Sequence, residues 1–216
     1  MSPLPGKIKK TTFINSKEDL NRFLQIESKR YGRKSTRIPL FAFTEKHLLW
    51  KHNVLLRKAE YYTNNARRLR SIWYRYRLGL IQVKYCLNIP LNVFDCGLKI
   101  MHLAPLGANS KSRVGKNCTL HKYSSLAAGG VNDFAPCLGD DIIIGIGAIV
   151  LGQVTLANGI AVGANAVVSK SFLEENITIA GVPAKKIGDK GQSAWTKETR
   201  EKHSAMLVAK GEVDKQ

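Results

Sequence analysis

Branched aliphatic residues recur at every sixth position between residues 114 and 168, and the series is interrupted only at Asn132. Its nine members are Val114, Leu120, Leu126, Leu138, Ile144, Val150, Leu156, Val162 and Val168. The residue that follows each anchor is often glycine or alanine. A period of six fits neither the 3.6-residue repeat of a helix nor the two-residue repeat of a strand. It predicts a parallel β-helix, in which each hexad forms a short strand and a turn and three hexads complete one triangular coil.

The pattern before residue 88 is helical. Ser16, followed by two acidic residues, predicts the start of a short helix that ends near Gly32. Thr44 begins a longer helix that breaks at Asn64 and its neighbour, and a third helix is expected from about residue 66 to residue 85. The third helix has one apolar side, formed by Leu69, Ile72, Trp73, Tyr76, Leu80 and Val83. We expect the second and third helices to form an antiparallel hairpin beside or over one end of the coils.

The chain is therefore predicted to be mainly β with an N-terminal helical region. Residues 1–87 form a basic helical region, and residues 88–188 form the β-helix, whose first coil is irregular. The insertion at 127–137 is a loop that projects from one corner. Residues 169–176 are expected to turn the chain back. Residues 189–216 form a tail or an accessory helix.

Composition narrows the class of protein. The chain has 216 residues with 44% hydrophobic content, which is enough for a proper core. No apolar run approaches the roughly 18 residues of a membrane span, and the polar, lysine-rich opening lacks the apolar stretch of a signal peptide. We therefore expect a cytoplasmic protein. The four cysteines have neither metal-site nor disulfide-framework spacing, so free thiols and no metal are expected.

Positive charge is concentrated in the first half of the chain. The net charge is +18, and residues 1–100 carry 21 basic and 6 acidic residues. Such a charge distribution indicates nucleic acid, an anionic membrane surface, an anionic substrate or only a solvated basic surface. The absence of zinc-finger, basic-zipper and RNA-binding aromatic motifs in the sequence disfavours nucleic acid.

Several motifs resemble those of a known enzyme family. Residues 144–148 (IGIGA), 162–168 (VGANAVV) and the closing 180–187 (AGVPAKKI) look like the C-terminal half of the hexapeptide-repeat acyltransferases. Within that family the chain is most similar to the serine acetyltransferase branch, especially its relatives associated with capsule and other surface polysaccharides. The resemblance also includes residues 56–62 and 89–102. It implies a left-handed parallel β-helix, a homotrimer, and active sites in the grooves between neighbouring subunits.

The resemblance implies transfer of an acetyl group from acetyl-CoA to a hydroxyl. An activated thioester needs a base for the hydroxyl proton and a donor for the developing oxyanion, but no metal and no covalent intermediate. Of the five histidines, His102 matches the general base of serine acetyltransferases. His121 lies about one coil further on and is a second catalytic candidate. It could bind the acceptor or hold the oxyanion, or it could be an ordinary surface histidine.

The donor side follows the family pattern. Small corner residues let the pantetheine arm of coenzyme A lie along a coil edge, and lysines suit its phosphates. The small residues that meet this need are Gly147, Ala148, Ala164 and Ala166. By resemblance, the acetyl-CoA contacts fall at Ile146, Ala164, Ser169, Lys170 and Lys185. The two lysines are either phosphate ligands or solvated side chains.

The acceptor side departs from the family pattern. Phe134 and Ala135 stand where serine acetyltransferases have an arginine and a histidine in the projecting loop, and Met101 stands where they have an acid before the base. The acid that orients the base falls near Asn88. These departures argue against free serine and favour a carbohydrate hydroxyl, with Asn88 and Phe134 as acceptor contacts. Phe134 could stack on a sugar ring or fill a subunit contact.

The predicted function is thus acetylation of a surface polysaccharide or its precursor. The glycan could be anionic or lipid-linked, with peripheral contact at the inner membrane face. A serine O-acetyltransferase with different acceptor contacts, and a non-catalytic trimeric scaffold, are the alternatives.

Overall fold

A computed structural model describes residues 13–38, 44–130 and 133–195 of the chain. Three helices come first: α1 (Lys17–Arg30), α2 (Glu45–Asn64) and α3 (Arg68–Tyr85). Short strands follow, and a 3₁₀ helix at Gln192–Trp195 comes last. The strands are β1 (Leu87–Asn88), β2 (Lys99–Ile100), β3 (Leu106–Ala108), β4 (Arg113–Val114), β5 (Thr119–Leu120), β6 (Ser125–Ala127), β7 (Cys137–Leu138), β8 (Ile143–Ile144), β9 (Ile149–Leu151), β10 (Thr155–Leu156), β11 (Ala161–Val162), β12 (Val167–Val168), β13 (Thr178–Ala180) and β14 (Lys185–Gly188).

The strands form three sheets, which are the three faces of a prism. Face A has the order β1-β3-β6-β9-β12, face B has β4-β7-β10, and face C has β2-β5-β8-β11-β13-β14. Pairing is parallel everywhere in these sheets except between β13 and β14. From β2 to β12, successive strands lie on successive faces, so three strands make one coil. The predicted three-sided parallel β-helix is confirmed. We call the turn from face C to face A corner CA, and the turn from face A to face B corner AB.

The six-residue anchors form the core of the prism. All nine are at most 2% exposed. On face C, Leu120 pairs with Ile144 and Ile144 pairs with Val162, so equivalent anchors stack one coil apart. Burial of aliphatic side chains contributes roughly 1.5–3 kcal/mol for each residue, which makes this stack the main source of stability in the β-helix.

Close stacking of the coils explains the glycine that follows many anchors. A Cβ atom on Gly145 would lie 2.6 Å from the carbonyl oxygen of Val162 and 2.8 Å from the backbone nitrogen of Ala164, in the next coil. Neighbouring strands are only about 4.8 Å apart, so no side chain fits between the coils at this position. Small residues are therefore required by the stacking as well as by the turn.

The helices begin and end close to their predicted limits. The Ser16 hydroxyl accepts a hydrogen bond from the Asp19 backbone N–H, and the Asp19 carboxylate accepts one from the Ser16 N–H, which completes a capping box. The chain leaves α2 at Asn64 as expected, and Ala66 has a positive φ of 53° before α3 begins. Helices α2 and α3 pack against each other, and α3 also contacts β1.

A buried ion network joins α1 and α2 to the first coil. The Arg57 guanidinium donates hydrogen bonds to Glu27 Oε1 (2.7 Å), Glu60 Oε2 (2.9 Å) and the carbonyl oxygens of Phe94 and Asp95. Burial lowers the pKa of Arg57, but the two carboxylates outweigh it and raise the pKa, so the guanidinium stays charged. This network fixes the helical layer on the end of the β-helix.

Residues 169–176 differ from the expectation that they turn the chain back. Phe172 forms a parallel bridge to Leu156, and Ile179 pairs in parallel with Val162, so this segment completes the last coil. The reversal comes later, between β13 and β14. The interruption in the repeat falls between β6 on face A and β7 on face B, at corner AB. Asn132 and the tail from residue 196 onward are outside the described residues.

The helices and the cysteines can be compared with what the sequence predicts about membrane spans and free thiols. None of the helices in the described ranges is both long and apolar enough to cross a bilayer. The four cysteines are free thiols, and burial raises the pKa of Cys96 to about 11 and that of Cys118 to about 12.

Candidate functional site

Both candidate histidines lie at corner CA on adjacent coils. His102 follows β2 and His121 follows β5, and these strands pair with Ile100 opposite Leu120. Burial, then the charge of His102, and then that of Lys99 lower the pKa of His121. The lowered pKa favours the neutral form of His121. The structure brings together the two residues that the sequence selected.

A carboxylate from the helical layer lies beside His102. Glu45 Oε2 is 3.5 Å from His102 Nδ1, and Glu45 Oε1 accepts a hydrogen bond from the Leu103 backbone N–H at 2.8 Å. Both side chains are about half exposed. Glu45 is the first residue of α2, and sequence reasoning did not select it for the site. Asn88, which sequence reasoning placed near this role, lies on β1 opposite Gly107.

Helix α1 holds the strand that carries His102. The Tyr31 hydroxyl accepts a hydrogen bond from the Ile100 N–H (2.9 Å) and donates to the Ile100 carbonyl oxygen (3.3 Å). The Arg30 guanidinium donates to the Gly97 carbonyl oxygen and to Thr119 Oγ1, which links β2 to β5. These bonds fix the backbone two residues before His102, so the imidazole is presented from a rigid support.

A basic cavity opens beside the histidine corner. It has a volume of about 400 Å³, and its lining includes Glu45, Lys46, Lys99 and Met101. Lysines on opposite elements, α2 and β2, make this cavity attractive to an anionic or strongly polar molecule. Glu45, which lines this cavity, also lies beside His102.

Part of the predicted donor site continues down the same corner. The Gly147 N–H donates to the Lys122 carbonyl oxygen (3.0 Å), and the Asn165 N–H donates to that of Ile146 (2.7 Å), so a backbone ladder runs along corner CA. Ile146 and Ala164 are exposed on this edge.

Ala148 contributes less to this edge than the other small residues. Its side chain is buried in the prism. Its N–H donates to the Gly145 carbonyl oxygen, and its own carbonyl oxygen accepts from the Ser125 N–H. Ala148 therefore shapes the edge by being small.

The other predicted residues lie on different parts of the prism. Ser169 and Lys170 are exposed at corner AB, after β12. The projecting loop leaves the same corner, and Phe134 on it is 54% exposed. Lys185 is exposed at the start of β14, at the end of face C. The predicted donor contacts of one chain are thus distributed over corner CA, corner AB and the end of face C.

The part of the chain that the structure describes contains no group of three or more His, Cys, Asp or Glu side chains that could hold a metal ion.

The solved structures that this chain resembles include several serine acetyltransferases, which share one fold. Serine acetyltransferase from Neisseria gonorrhoeae is 21% identical, with a TM-score of 0.61 over 83% of this chain and 70% of that chain. The same enzyme in complex with serine is 21% identical, with a TM-score of 0.60 over 80% of this chain and 71% of that one. Serine acetyltransferase from Brucella abortus in complex with coenzyme A is 22% identical, with a TM-score of 0.56 over 81% and 68%. No family model matches the chain.

This chain has the fold of the hexapeptide-repeat serine acetyltransferases. The predicted left-handed parallel β-helix with an N-terminal helical region is thereby confirmed. Because identity is below a quarter, the likeness shows the fold alone. The activity of this chain has to be argued from its own residues.

Proposed function

We propose that this protein is an acetyl-CoA-dependent O-acetyltransferase with His102 as general base. The observation that carries the proposal is the arrangement at corner CA. There, a carboxylate lies beside His102 Nδ1, a second histidine lies on the adjacent coil, and an edge of small residues continues below. In general-base catalysis of this kind, an acid orients the imidazole through one ring nitrogen, and the other nitrogen accepts the substrate proton. Here Glu45 lies beside Nδ1, which leaves Nε2 for the substrate.

The chemical step needs only these groups and the two substrates. The acceptor hydroxyl gives its proton to His102 Nε2 while its oxygen attacks the thioester carbonyl carbon. The carbon–oxygen bond forms, the carbon–sulfur bond breaks, and the coenzyme A thiolate leaves with the proton that His102 holds. His121, whose lowered pKa favours the neutral ring, can donate a hydrogen bond to the developing oxyanion. Both carboxylate oxygens of Glu45 are engaged, one by His102 and one by the Leu103 N–H, which keeps the imidazole in one orientation.

The proposed donor site combines two corners. Ile146, Gly147 and Ala164 line the edge below the histidines, whereas Ser169 and Lys170 lie at corner AB. A homotrimer in which corner CA of one copy faces corner AB of the next would unite them, and we include that assembly in the proposal. The structure of a serine acetyltransferase with coenzyme A supports acetyl-CoA as the donor.

For the acceptor we propose a carbohydrate hydroxyl, in a surface polysaccharide or its precursor. The basic cavity beside His102, with Lys46 and Lys99 in its lining, suits an anionic sugar. Phe134 offers an exposed aromatic face for a sugar ring. Serine is the second candidate, because a solved relative of the same fold binds serine and because Glu45 could pair with its ammonium group.

The proposal is tested by thiol release from acetyl-CoA with a panel of serine, neutral sugars, anionic sugars and oligosaccharides. We expect release with a sugar of the panel, and a product that gains one acetyl group in mass. Release with serine alone would keep the enzyme class and replace the acceptor. No release with any acceptor, together with no binding of coenzyme A, would overturn the proposal in favour of a scaffold. The His102→Ala protein is the background control.

A further inference from the structure

Helix α3 carries an apolar stripe that faces away from the rest of the protein. Six large residues form it, and each is between 49% and 84% exposed. They are Leu69, Ile72, Trp73, Tyr76, Leu80 and Val83. The spacing places all six within about 100° of one another around the helix. The buried residues Ser71, Leu78 and Ile81 lie on the opposite side, against α2 and β1.

Basic residues border the stripe on both sides. At 100° per residue, Arg68 and Arg75 fall along one border, and Arg70, Arg77 and Lys84 along the other. The helix has no acidic residue. Two of the guanidinium groups lie over aromatic rings: Arg70 is 5.6 Å from the centroid of Tyr62, and Arg77 is 5.0 Å from that of Trp73. The contact with Trp73 holds the Arg77 charge at the level of the stripe, whereas Arg70 is held beside α2.

From this arrangement we propose that α3 is an interfacial helix that binds the surface of an anionic phospholipid bilayer. The helix would lie in the membrane plane, with its stripe among the acyl chains and its arginines and lysine at the phosphates. Trp73 and Tyr76 are the residue types that favour the boundary between headgroups and acyl chains. This inference does not depend on the proposed function.

The basic residues beside the stripe favour an anionic lipid surface over three other possible partners: a second copy of the chain, residues 196–216 and a nucleic acid. A second copy would bring an equally basic border against this one, so repulsion opposes pairing of two stripes. Residues 196–216 carry five basic and four acidic residues, which gives them little attraction for α3. A nucleic acid would satisfy the arginines but would leave six apolar side chains without an apolar partner. An anionic bilayer satisfies both parts of the surface.

The test measures binding of the full-length protein to vesicles by co-sedimentation. We expect binding to phosphatidylcholine vesicles that contain phosphatidylglycerol and at least tenfold weaker binding to pure phosphatidylcholine. The double variant Ile72→Ser, Leu80→Ser should bind the anionic vesicles at least about tenfold more weakly. The matched control is Leu173→Ser, Ile187→Ser, which removes two exposed apolar side chains elsewhere and should bind like the wild type.

A second pair of variants tests the charges. Arg68→Gln with Arg75→Gln should weaken binding about 25-fold, since each charge near an anionic surface is worth about a factor of five. Lys29→Gln with Lys34→Gln removes the same charge from another exposed region and should have a much smaller effect.

Trp73 provides a local readout. Its emission should shift to the blue when anionic vesicles are added; Trp73→Phe should abolish the shift and Trp195→Phe should retain it, because Trp50 is already buried. The proposal is overturned if the wild type ignores anionic vesicles, if the stripe variant binds as well as its control, or if the stripe instead drives association between copies while Trp73 emission stays unchanged on vesicles.

Discussion

Glu45 and His102 are 57 positions apart in the chain, yet Glu45 Oε2 lies 3.5 Å from His102 Nδ1. One residue comes from the first turn of α2 and the other from a coil corner, so the helical layer and the β-helix build the site together. The second oxygen of Glu45 is held by the Leu103 N–H. This relationship assigns Glu45 a positioning role for the proposed base.

Replacing Glu45 by Gln should lower kcat about tenfold or more and leave the KM for acetyl-CoA unchanged. Gln retains an oxygen for the Leu103 N–H but loses the charge beside His102, so imidazole orientation suffers while the backbone anchor persists. A fully buried triad aspartate is worth about 10⁴ in kcat, and a half-exposed pair at 3.5 Å should be worth less. Steady-state kinetics of Glu45→Gln beside Glu45→Asp would check this. Equal kcat values in Glu45→Gln and the wild type would remove Glu45 from the site.

Replacing His102 by Ala should reduce kcat by about 100-fold to 10,000-fold, because the hydroxyl proton then has no acceptor. Coenzyme A binding, measured by calorimetry, should persist. His47→Ala is the matched control, since His47 lies on α2 and its Nδ1 is bonded to Thr44 Oγ1. If His102→Ala turns over like His47→Ala, the base lies elsewhere, and His121 would be the next residue to replace.

The sequence predicts those features of the fold that depend on residues close together in the chain or on a regular repeat. Anchors such as Ile144 and Val162 are recognisable in the sequence because branched aliphatic residues repeat at a fixed period, and each occupies the same place in its own coil. The capping box at Ser16 is equally local, because both of its bonds lie within four residues. Contacts across long separations left no such pattern, so Glu45–His102 and Arg57–Glu27 were missed.

Helix α3 shows a different limit of pattern reasoning. Periodicity correctly grouped Leu69, Ile72 and Trp73 on one side, but that side faces outward. Leu78 and Ile81 form a second apolar side, which is the buried one. A helix with two apolar sides does not reveal from sequence which side packs against the protein, because both satisfy the same 3.6-residue period.

Gly145→Ala should destabilise the β-helix by about 1–3 kcal/mol. The new methyl group would lie 2.6 Å from the Val162 carbonyl oxygen, so adjacent coils would have to separate. Gly79→Ala is the matched control, because a Cβ there meets nothing within 4 Å and alanine favours a helix by up to about 1 kcal/mol. Urea unfolding of both proteins measures the difference. A Gly145→Ala protein as stable as the wild type would contradict the close-stacking explanation.

Arg57→Met should destabilise the protein by about 3–5 kcal/mol, since it leaves the carboxylates of Glu27 and Glu60 buried without their cation. Arg22→Met is the matched control. Arg22 pairs with Asp19 at 2.7 Å on the surface of α1, where an ion pair contributes less than about 1 kcal/mol. Chemical denaturation should separate the two variants clearly. Similar losses in both would mean that the buried network does not hold the helical layer in place.

His52 should make the fold sensitive to acid. The residue is fully buried on α2, and burial lowers its pKa from 6.5 to about 4. Its Nδ1 lies 3.4 Å from Asn53 Oδ1 and its Nε2 lies 3.4 Å from Gln82 Nε2, an arrangement that suits a neutral ring with the proton on Nδ1. A second proton would point at the Gln82 amide group.

The sign of the effect follows from the difference between the folded and unfolded states. The unfolded chain binds a proton at His52 below about pH 6.5, whereas the folded chain binds it only below about pH 4. Stability contributed by the neutral ring is therefore complete above pH 6.5 and is lost as the pH falls toward 4. At 1.36 kcal/mol for each pKa unit, the loss is roughly 3 kcal/mol.

The measurement compares the free energy of unfolding of the wild type and His52→Gln from pH 4 to pH 8.5, at one protein concentration. Between pH 6.5 and 4 the wild type should lose roughly 3 kcal/mol more than the variant, because Gln does not titrate. Above pH 7 the two curves should run parallel, which serves as the internal control. Parallel curves over the whole range would show that His52 takes up its proton as readily in the folded protein as in the unfolded chain.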